Sequence, residues 1–278
     1  FLMFLGSLLT AEDWSVFRGP NGDGVSTAMN LPVRWSPTKN VAWKTPLKGQ
    51  GWSSPVLRNG VLYITNAVAE QTDAVQTSYQ LNTLAIDAKS GKMLWTTNVF
   101  TQPIDSPRIH SKNSHASPTP IVTPTHVFVH FGHLGTACLT IKGEVVWKTL
   151  ASKYSPVHGN GGTPILHDGK LYFSVDGKVK TLVFCLDCAT GDSIWVFDRQ
   201  SAASRKFSFS TPVIIEVAGK QQLISAASDI VQAIDPQSGK LIWQVKYDGY
   251  SLIPKPVYHN GLLYVCTGYD KPWLYCID

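Results

Sequence analysis

Ala85-Ile86-Asp87-Ala88-Lys89-Ser90-Gly91-Lys92 stands three residues ahead of Trp95, and Ala233-Ile234-Asp235-Pro236-Gln237-Ser238-Gly239-Lys240 stands three residues ahead of Trp243. A third copy, Cys185-Leu186-Asp187-Cys188-Ala189-Thr190-Gly191-Asp192, leads to Trp195 and keeps the Asp and the Gly. Before Trp147 only Gly143 survives, with Leu139 where the Asp should stand. With Trp43 the tryptophans are 52, 52, 48 and 48 residues apart. A repeat of that length is the mark of stacked or circular architectures.

Each copy reads as a hairpin: an apolar strand, an Asp-x-x-Ser/Thr-Gly turn, and a return strand ending in Trp. The Asp carboxylate can accept hydrogen bonds from its own turn, and Gly supplies the positive φ of the reversal. The indole offers a wide apolar face to a neighbouring sheet. Upstream of each hairpin lies a second signature: Ser54-Pro55-Val56, Pro118-Thr119-Pro120-Ile121, Thr163-Pro164-Ile165, Thr211-Pro212-Val213 and Pro254-Lys255-Pro256-Val257. Turns such as Asn59-Gly60, Asp168-Gly169 and Asn260-Gly261 then lead into apolar or aromatic strands. Each unit is therefore four strands, and four-stranded units at this period form the blades of a β-propeller. The expected fold is all-β, with about five blades and tryptophan-docking hairpins built on Trp43, Asp87, Gly91, Trp95, Gly143, Trp147, Asp187, Gly191, Trp195, Asp235, Gly239 and Trp243.

Trp43, in Val41-Ala42-Trp43-Lys44, reads as the last strand of a blade whose other strands are absent from the N-terminus. Cys276-Ile277-Asp278 aligns with Ala85-Ile86-Asp87, so the fifth unit lacks its turn and Trp. Val41 to Thr45 could complete that unit in a five-bladed ring; the preferred expectation is a fragment of a larger one. The 278 residues are 44% hydrophobic and 15% charged, which excludes both a disordered tail and a coiled coil. The net charge of +5 is scattered, without the basic run of a nucleic-acid arm or a membrane patch. Phe1 to Leu9 is apolar but too short to span a bilayer. With Ala11 before Glu12 and Asp13, residues 1–11 read as the remnant of a secretory signal, leaving 12–278 as the propeller and implying a periplasmic or secreted location.

On these residues the chain resembles the pyrroloquinoline quinone (PQQ) type repeat family of β-propellers, which includes quinoprotein alcohol dehydrogenases and BamB-type assembly lipoproteins. The copies at Ala85–Trp95 and Ala233–Trp243 carry the resemblance. Trp14-Ser15-Val16-Phe17-Arg18-Gly19-Pro20-Asn21, His115-Ala116-Ser117-Pro118 and Lys206-Phe207-Ser208-Phe209-Ser210-Thr211-Pro212 are similar to secreted bacterial members. The resemblance implies a ring of seven or eight blades. It also implies, for the dehydrogenases, a vicinal disulfide over the quinone, a Ca²⁺ held by Glu and Asn, and an Asp base. No two of Cys138, Cys185, Cys188, Cys266 and Cys276 are adjacent, so that carry-over fails at its most recognisable position.

Other chemistry is weaker. His126, His130 and His133 suggest metal ligation, but Val127-Phe128-Val129 is strand sequence, and side chains four apart on a strand stand about 13 Å apart. They are expected to face solvent or a neighbouring blade. Cys185 and Cys276 fall where Ala85 and Ala233 sit and are expected to be small core residues; Cys266 and Cys276 could meet across a hairpin. Gly22-Asp23-Gly24 and Gly159-Asn160-Gly161-Gly162 read as loops. No nucleophile elbow or zinc-protease motif occurs.

Residues just before each Ser/Thr-Pro signature should ring one mouth of the channel: Trp52, His115, His158, Asn160, Lys206, Ser208 and Tyr250. The connection from Asn98 to Ser114, with Arg108, His110, Lys112 and Asn113, and an insertion from Asn66 to Gln80 can reach the same mouth. That ring is aromatic and cationic, suited to an anionic or hydrogen-bonding partner. The expectation is a non-catalytic exported scaffold that binds a protein, peptide or glycan, with no metal, cofactor, nucleic acid or transmembrane segment. The alternative is a PQQ- and Ca-dependent dehydrogenase.

Overall fold

A computed structural model describes residues 12–72, 75–103 and 105–278. The expected signal remnant, residues 1–11, lies outside them. The described residues form five antiparallel sheets in which chain neighbours are sheet neighbours. The first contains β1 (Val56–Arg58), β2 (Val61–Thr72), β3 (Val75–Asp87) and β4 (Met93–Pro103). The second contains β5 (Ile121–Val122), β6 (His126–His130), β7 (Thr136–Thr140) and β8 (Val145–Thr149). The third contains β9 (Ile165–His167), β10 (Lys170–Asp176), β11 (Thr181–Asp187) and β12 (Ser193–Asp198). The fourth contains β13 (Val213–Val217), β14 (Lys220–Ala227), β15 (Ile230–Ile234) and β16 (Leu241–Lys246). The fifth has three strands, β17 (Val257–His259), β18 (Leu262–Cys266) and β19 (Leu274–Ile277). This is the blade architecture of a partial β-propeller.

The local chemistry explains the blades. Between β1 and β2, Asn59 (φ 47°) and Gly60 (φ 74°) both take positive φ, as the two-residue turn that matches strand twist requires. In the Asp-x-x-Ser-Gly turn, Asp87 Oδ1 accepts from Ser90 N at 2.7 Å, and Gly91 N donates to Asp87 O at 2.8 Å. Gly91 has φ +71°, and a Cβ there would lie 2.5 Å from the Trp43 ring. The indole therefore rests directly on the glycine.

This contact repeats from blade to blade. Trp43 Nε1 donates to Ala88 O (2.9 Å), Trp95 to Ile141 O (3.1 Å), Trp147 to Cys188 O (3.0 Å) and Trp195 to Pro236 O (3.1 Å). Each Trp thus lies on the hairpin of the following blade. Trp243 differs: its Nε1 donates to Gln222 Oε1 of its own sheet at 2.8 Å. Opposite four of these rings the cross-strand partner is small: Ala85, Cys138, Cys185 and Ala233, all buried.

The Ser/Thr-Pro signatures stitch the first strands together. Ser54 N donates to Thr119 Oγ1 (3.1 Å), Thr119 N to Thr163 Oγ1 (3.1 Å) and Thr163 N to Thr211 Oγ1 (3.0 Å). In the fifth blade Lys255 stands at the hydroxyl position, and the tie is made one residue earlier, where Ser210 Oγ donates to Pro254 O at 2.8 Å. Apolar packing follows the same seams. Four buried clusters occur: Val56, Leu81 and Val129 between the first two sheets, Phe128 and Phe173 between the second and third, Tyr172 and Leu223 between the third and fourth, and Ile224 and Leu263 between the fourth and fifth. Arg199 adds a buried staple across the third seam, donating to Asp176 of the third sheet and to Ser225 and Gln232 of the fourth.

Ahead of the blades, Trp14 exchanges both backbone hydrogen bonds with Leu57 (2.8 and 2.9 Å), and Ser15 O accepts from Val122 N at 2.9 Å. Gly22 O accepts from Lys255 Nζ at 3.0 Å. The Trp14–Gly22 stretch therefore touches the first, second and fifth blades.

Several expectations need correction. The Asn66–Gln80 insertion and the start of the Asn98–Ser114 connection are not loops: they continue β2, β3 and β4 as a three-stranded extension above the first blade, because their residues keep pairing through Gln71↔Gln76 and Ser78↔Pro103. The five-bladed closure is not adopted. Trp43 and Thr45 bond to Ala88 and Gly91 of the first blade, and among the described residues no strand pairs with β19 other than β18. Cys276 is exposed rather than in the core, since no Trp strand among the described residues covers it. Cys266 and Cys276 are free; the register pairs Cys266 with Leu274 and Cys276 with Tyr264, a diagonal relation too wide for a disulfide.

Candidate functional site

The connections β4–β5, β8–β9, β12–β13 and β16–β17 all lead to the start of a blade's first strand, so they meet at one end of the sheets. There the rings form a continuous belt. His110 meets His158 edge-on with centroids 5.4 Å apart; His158 meets Phe207 at 4.9 Å, Phe207 meets Tyr250 at 5.7 Å, and Tyr250 meets Tyr269 at 6.2 Å. One ring comes from each successive connection, and Tyr269 from the β18–β19 link. Arg205 covers the outer face of Tyr250 at 4.3 Å, and both reach Asp270, the Tyr250 hydroxyl at 2.8 Å.

Backbone and amide bonds fix the belt. His110 N donates to His158 O, and Asn113 Nδ2 donates to His158 O (2.9 Å) and Asn160 O (3.2 Å). Trp52 Nε1 donates to Lys112 O at 3.1 Å, while Lys112 N donates to His110 Nδ1. His115 packs on Tyr79 at 4.7 Å. With His110, these two residues line a cleft of about 470 Å³ between the β2–β3 extension and the β4–β5 connection.

Of the expected mouth residues, the structure brings Trp52, His110, Lys112, His115, His158 and Tyr250 into this assembly. Arg108 and Lys206 lie on the same connections, with Arg108 exposed to solvent. Asn160 and Ser208 are corrections: both are buried, Asn160 accepting from the Tyr154 hydroxyl and Ser208 donating to Leu252 O. The charge also differs from the expectation. Burial lowers the pKa of His115, and burial followed by the nearby His110 lowers that of His158, so these imidazoles stay neutral near pH 7. The positive charge of the mouth rests on Arg108, Lys112, Arg205 and Lys206.

Sequence reasoning missed Phe207, Tyr269, Arg205 and Tyr79; Asn113, expected on a connection reaching the mouth, holds His158 and Asn160 there. Phe207 had a signal, the aromatic position beside Lys206 in the repeated connection; Tyr79 and Tyr269 had none. Behind the mouth stand His130 and His133, only 2% and 8% exposed. His130 Nδ1 pairs with Thr136 Oγ1 at 2.8 Å and its ring packs on Phe173 of the next blade at 4.4 Å. Burial, reinforced by His133, pushes its pKa down to about 3, and burial with His115 and Lys153 pushes His133 down to about 4. Neither of these two histidines faces solvent.

Trp-docked, four-stranded blades repeated in this way define a propeller of the PQQ-repeat type. The chain matches, over residues 25–195 and 82–278, the family described as outer membrane protein assembly factor BamB. It belongs to that family. No curated protein sequence matches it. Among solved structures, the europium-containing methanol dehydrogenase superposes with a TM-score of 0.57 at 12% identity, covering 84% of this chain and 50% of that one. The quinohemoprotein alcohol dehydrogenase of Comamonas testosteroni gives 0.54 at 14% identity, covering 79% and 40%. The quinohemoprotein alcohol dehydrogenase ADHIIG of Pseudomonas putida HK5 gives 0.53 at 13% identity, covering 92% and 57%. At these identities the likeness is one of fold, and the chain spans about half the length of those structures.

The quinone and metal of such dehydrogenases can be tested against the residues present. The five cysteines are free and none adjoins another, and among the described residues no three His, Cys, Asp or Glu side chains converge to hold a metal ion. The mouth offers rings, imidazoles and guanidinium groups instead. The adjacent cysteine pair that the resemblance implies over a quinone is not among these residues. No helix among the described residues is long and apolar enough to cross a membrane.

Proposed function

We propose that this chain is a non-catalytic, exported propeller that uses the mouth as a binding platform for a protein, peptide or glycan of anionic character. The observation that carries the reading is the ring belt from His110 to Tyr269, which crosses four consecutive blade connections and is flanked by Arg108, Lys112, Arg205 and Lys206. Fixed aromatic faces offer contact area at little entropic cost, and guanidinium or ammonium groups select anions. Membership of a family described by outer-membrane protein assembly supports a scaffold in the periplasm. We further take the chain to be part of a seven- or eight-bladed ring, because Trp43 docks on the first blade as the outer strand of a preceding one does.

Capture of acidic peptides and uronic-acid oligosaccharides on immobilised protein tests this reading. The His158→Ala/Tyr250→Ala double variant should bind at least tenfold more weakly while melting within a few degrees of the parent. Equal capture overturns the platform. Saturable binding of PQQ with Ca²⁺ near one equivalent, with alcohol oxidation, overturns the non-catalytic reading.

A further inference from the structure

Asn66, Asn82 and Asn98 stand in one register across β2, β3 and β4. Asn82 Nδ2 donates to Asn66 Oδ1 at 3.0 Å, and Asn98 Nδ2 donates to Asn82 Oδ1 at 3.2 Å. Both ends of the row are anchored. Asn66 Nδ2 donates to Lys48 O at 2.7 Å, and Asn98 Nδ2 also donates to Phe100 O at 3.0 Å, across the bulge that the register shift leaves at Val99. Asn is a poor strand former, and a buried carboxamide costs free energy unless its polar atoms are bonded. Yet Asn66 and Asn82 are only 5% and 4% exposed. A carboxamide has two N–H groups and an oxygen that accepts twice. Asn66 and Asn82 each use one N–H and one acceptor position, which leaves one of each on both among the described residues.

The row lines a cavity of about 520 Å³, within the size range of small-molecule sites. Val68 and Leu84 flank it with apolar surface, and the Pro46–Lys48 segment closes it. That segment is tied down by the Lys48 carbonyl and by the two backbone bonds between Gln50 and Ala67. Among the described lining residues there is no Asp, Glu or aromatic ring, and Lys48 is the one cation. The place recurs in the repeat: by tryptophan spacing, Leu84 and Thr96 answer to Gln232 and Gln244, and Leu47 answers to Arg199. All three counterparts line a cavity of about 510 Å³ between the third and fourth blades, both four-stranded. A complete preceding blade therefore leaves such a wedge open. Between the third and fourth blades the Arg199 guanidinium bonds to Gln232, whereas Leu47 in the first-blade wedge takes no hydrogen bond and the amides keep theirs.

We propose that the first-blade wedge binds a neutral oligosaccharide, at a site separate from the mouth. A sugar hydroxyl both donates and accepts, so it takes the spare N–H of one carboxamide and gives its proton to the oxygen of the next. Adjacent strands lie about 4.8 Å apart, which spreads the three amides over about 10 Å and suits linked sugar units better than a single one. Val68, Leu84 and Leu47 pack against the C–H faces of the rings. Uncharged carboxamides held in place by one another supply the hydrogen bonds without the cost of ordering them on binding.

Isothermal titration of the full chain with cellotriose, maltotriose, mannotriose and triacetylchitotriose tests it, with trigalacturonate and a capped trialanine peptide as comparators. The expected result is saturable binding of at least one neutral trisaccharide at millimolar concentration or below, at least tenfold tighter than either comparator. Thr96→Trp fills the wedge from an exposed position of β4 without altering the row, and Asn98→Leu removes the outer carboxamide. Each should weaken that binding at least tenfold. Should either variant fail to fold, the other and the panel on the unaltered protein decide. His158→Ala/Tyr250→Ala should bind the sugar as the parent does; loss there places the sugar at the mouth and overturns the wedge. No saturable binding of any neutral trisaccharide, or parent-like binding by Thr96→Trp, overturns the proposal as well. A comparator bound as tightly assigns the wedge another ligand class and does the same.

Discussion

His130 and His133 show how a single side chain carries a pH response. Both have folded-state pKa values far below the ordinary histidine value, because burial disfavours the imidazolium. The unfolded chain then binds more protons below about pH 6.5, so their stability contribution is full above that value and is lost as the pH falls toward 4 and 3. A tenfold difference in proton affinity between the folded and unfolded chain corresponds to about 1.4 kcal/mol. Between pH 7 and pH 5 we expect a loss of about 2–4 kcal/mol by denaturant titration, and a His130→Phe/His133→Phe variant should flatten that slope. An unchanged slope would assign the pH dependence elsewhere. Behind the belt, Tyr154 donates its hydroxyl to Asn160 Oδ1 while Asn160 Nδ2 lacks a partner among the described residues.

At the scale of the element, the hairpin and the tryptophan of the preceding blade act as one unit. Trp95 is half-buried, lies on Gly143 and donates to Ile141 O. Trp95→Ala removes that packing and leaves the carbonyl without its donor, an expected cost of about 2–4 kcal/mol. Trp243 bonds only within its own sheet, so Trp243→Ala should cost less, about 1–2 kcal/mol. Calorimetric melting of the two variants side by side checks the order; a larger effect at Trp243 would contradict blade-to-blade docking. The threonine relay works in the same way. Each Thr hydroxyl of the signature accepts from the main-chain N–H of the corresponding residue in the preceding blade.

At the scale of the molecule, contacts between blades are few in kind and repeated: an apolar seam, an indole on a glycine, and a hydroxyl on an amide. Arg199 adds a tie of another kind, a buried cation whose bonds to Asp176, Ser174, Ser225 and Gln232 join the third and fourth blades. The Trp14–Gly22 stretch adds a long-range tie, because it joins Leu57, Val122 and Lys255 from blades far apart in sequence. Trp14→Ala strips the ring that covers Gly19 and loosens this stretch. We expect the melting temperature to fall by about 2–4 °C for each kcal/mol lost, with faster proteolysis after residue 12. Equal melting and cleavage would show that the stretch follows the blades without holding them.

The sequence by itself determined the repeat, the strand order within each blade and the docking hairpins, because these depend on neighbours in the chain: an Asp three residues from Ser90, a Gly next to it, a Trp four positions on. It also placed His110, His158 and Tyr250 at one mouth, since the repeat fixes which end of a blade a connection occupies. What it could not carry were relations across seams. Phe207 and Tyr269 enter the belt only when consecutive blades are set side by side, and Asn160 and Ser208 turn inward because their partners, Tyr154 and Leu252, come from packing rather than from order in the chain. The β2–β3 extension reads as an insertion because polar residues there keep strand pairing without strand-like hydrophobicity. Cys276 reads as core because its repeat position is core wherever a tryptophan strand lies over it. Local chemistry is written along the chain; burial and the meeting of side chains belong to the tertiary structure, where one blade supplies the other half of each contact.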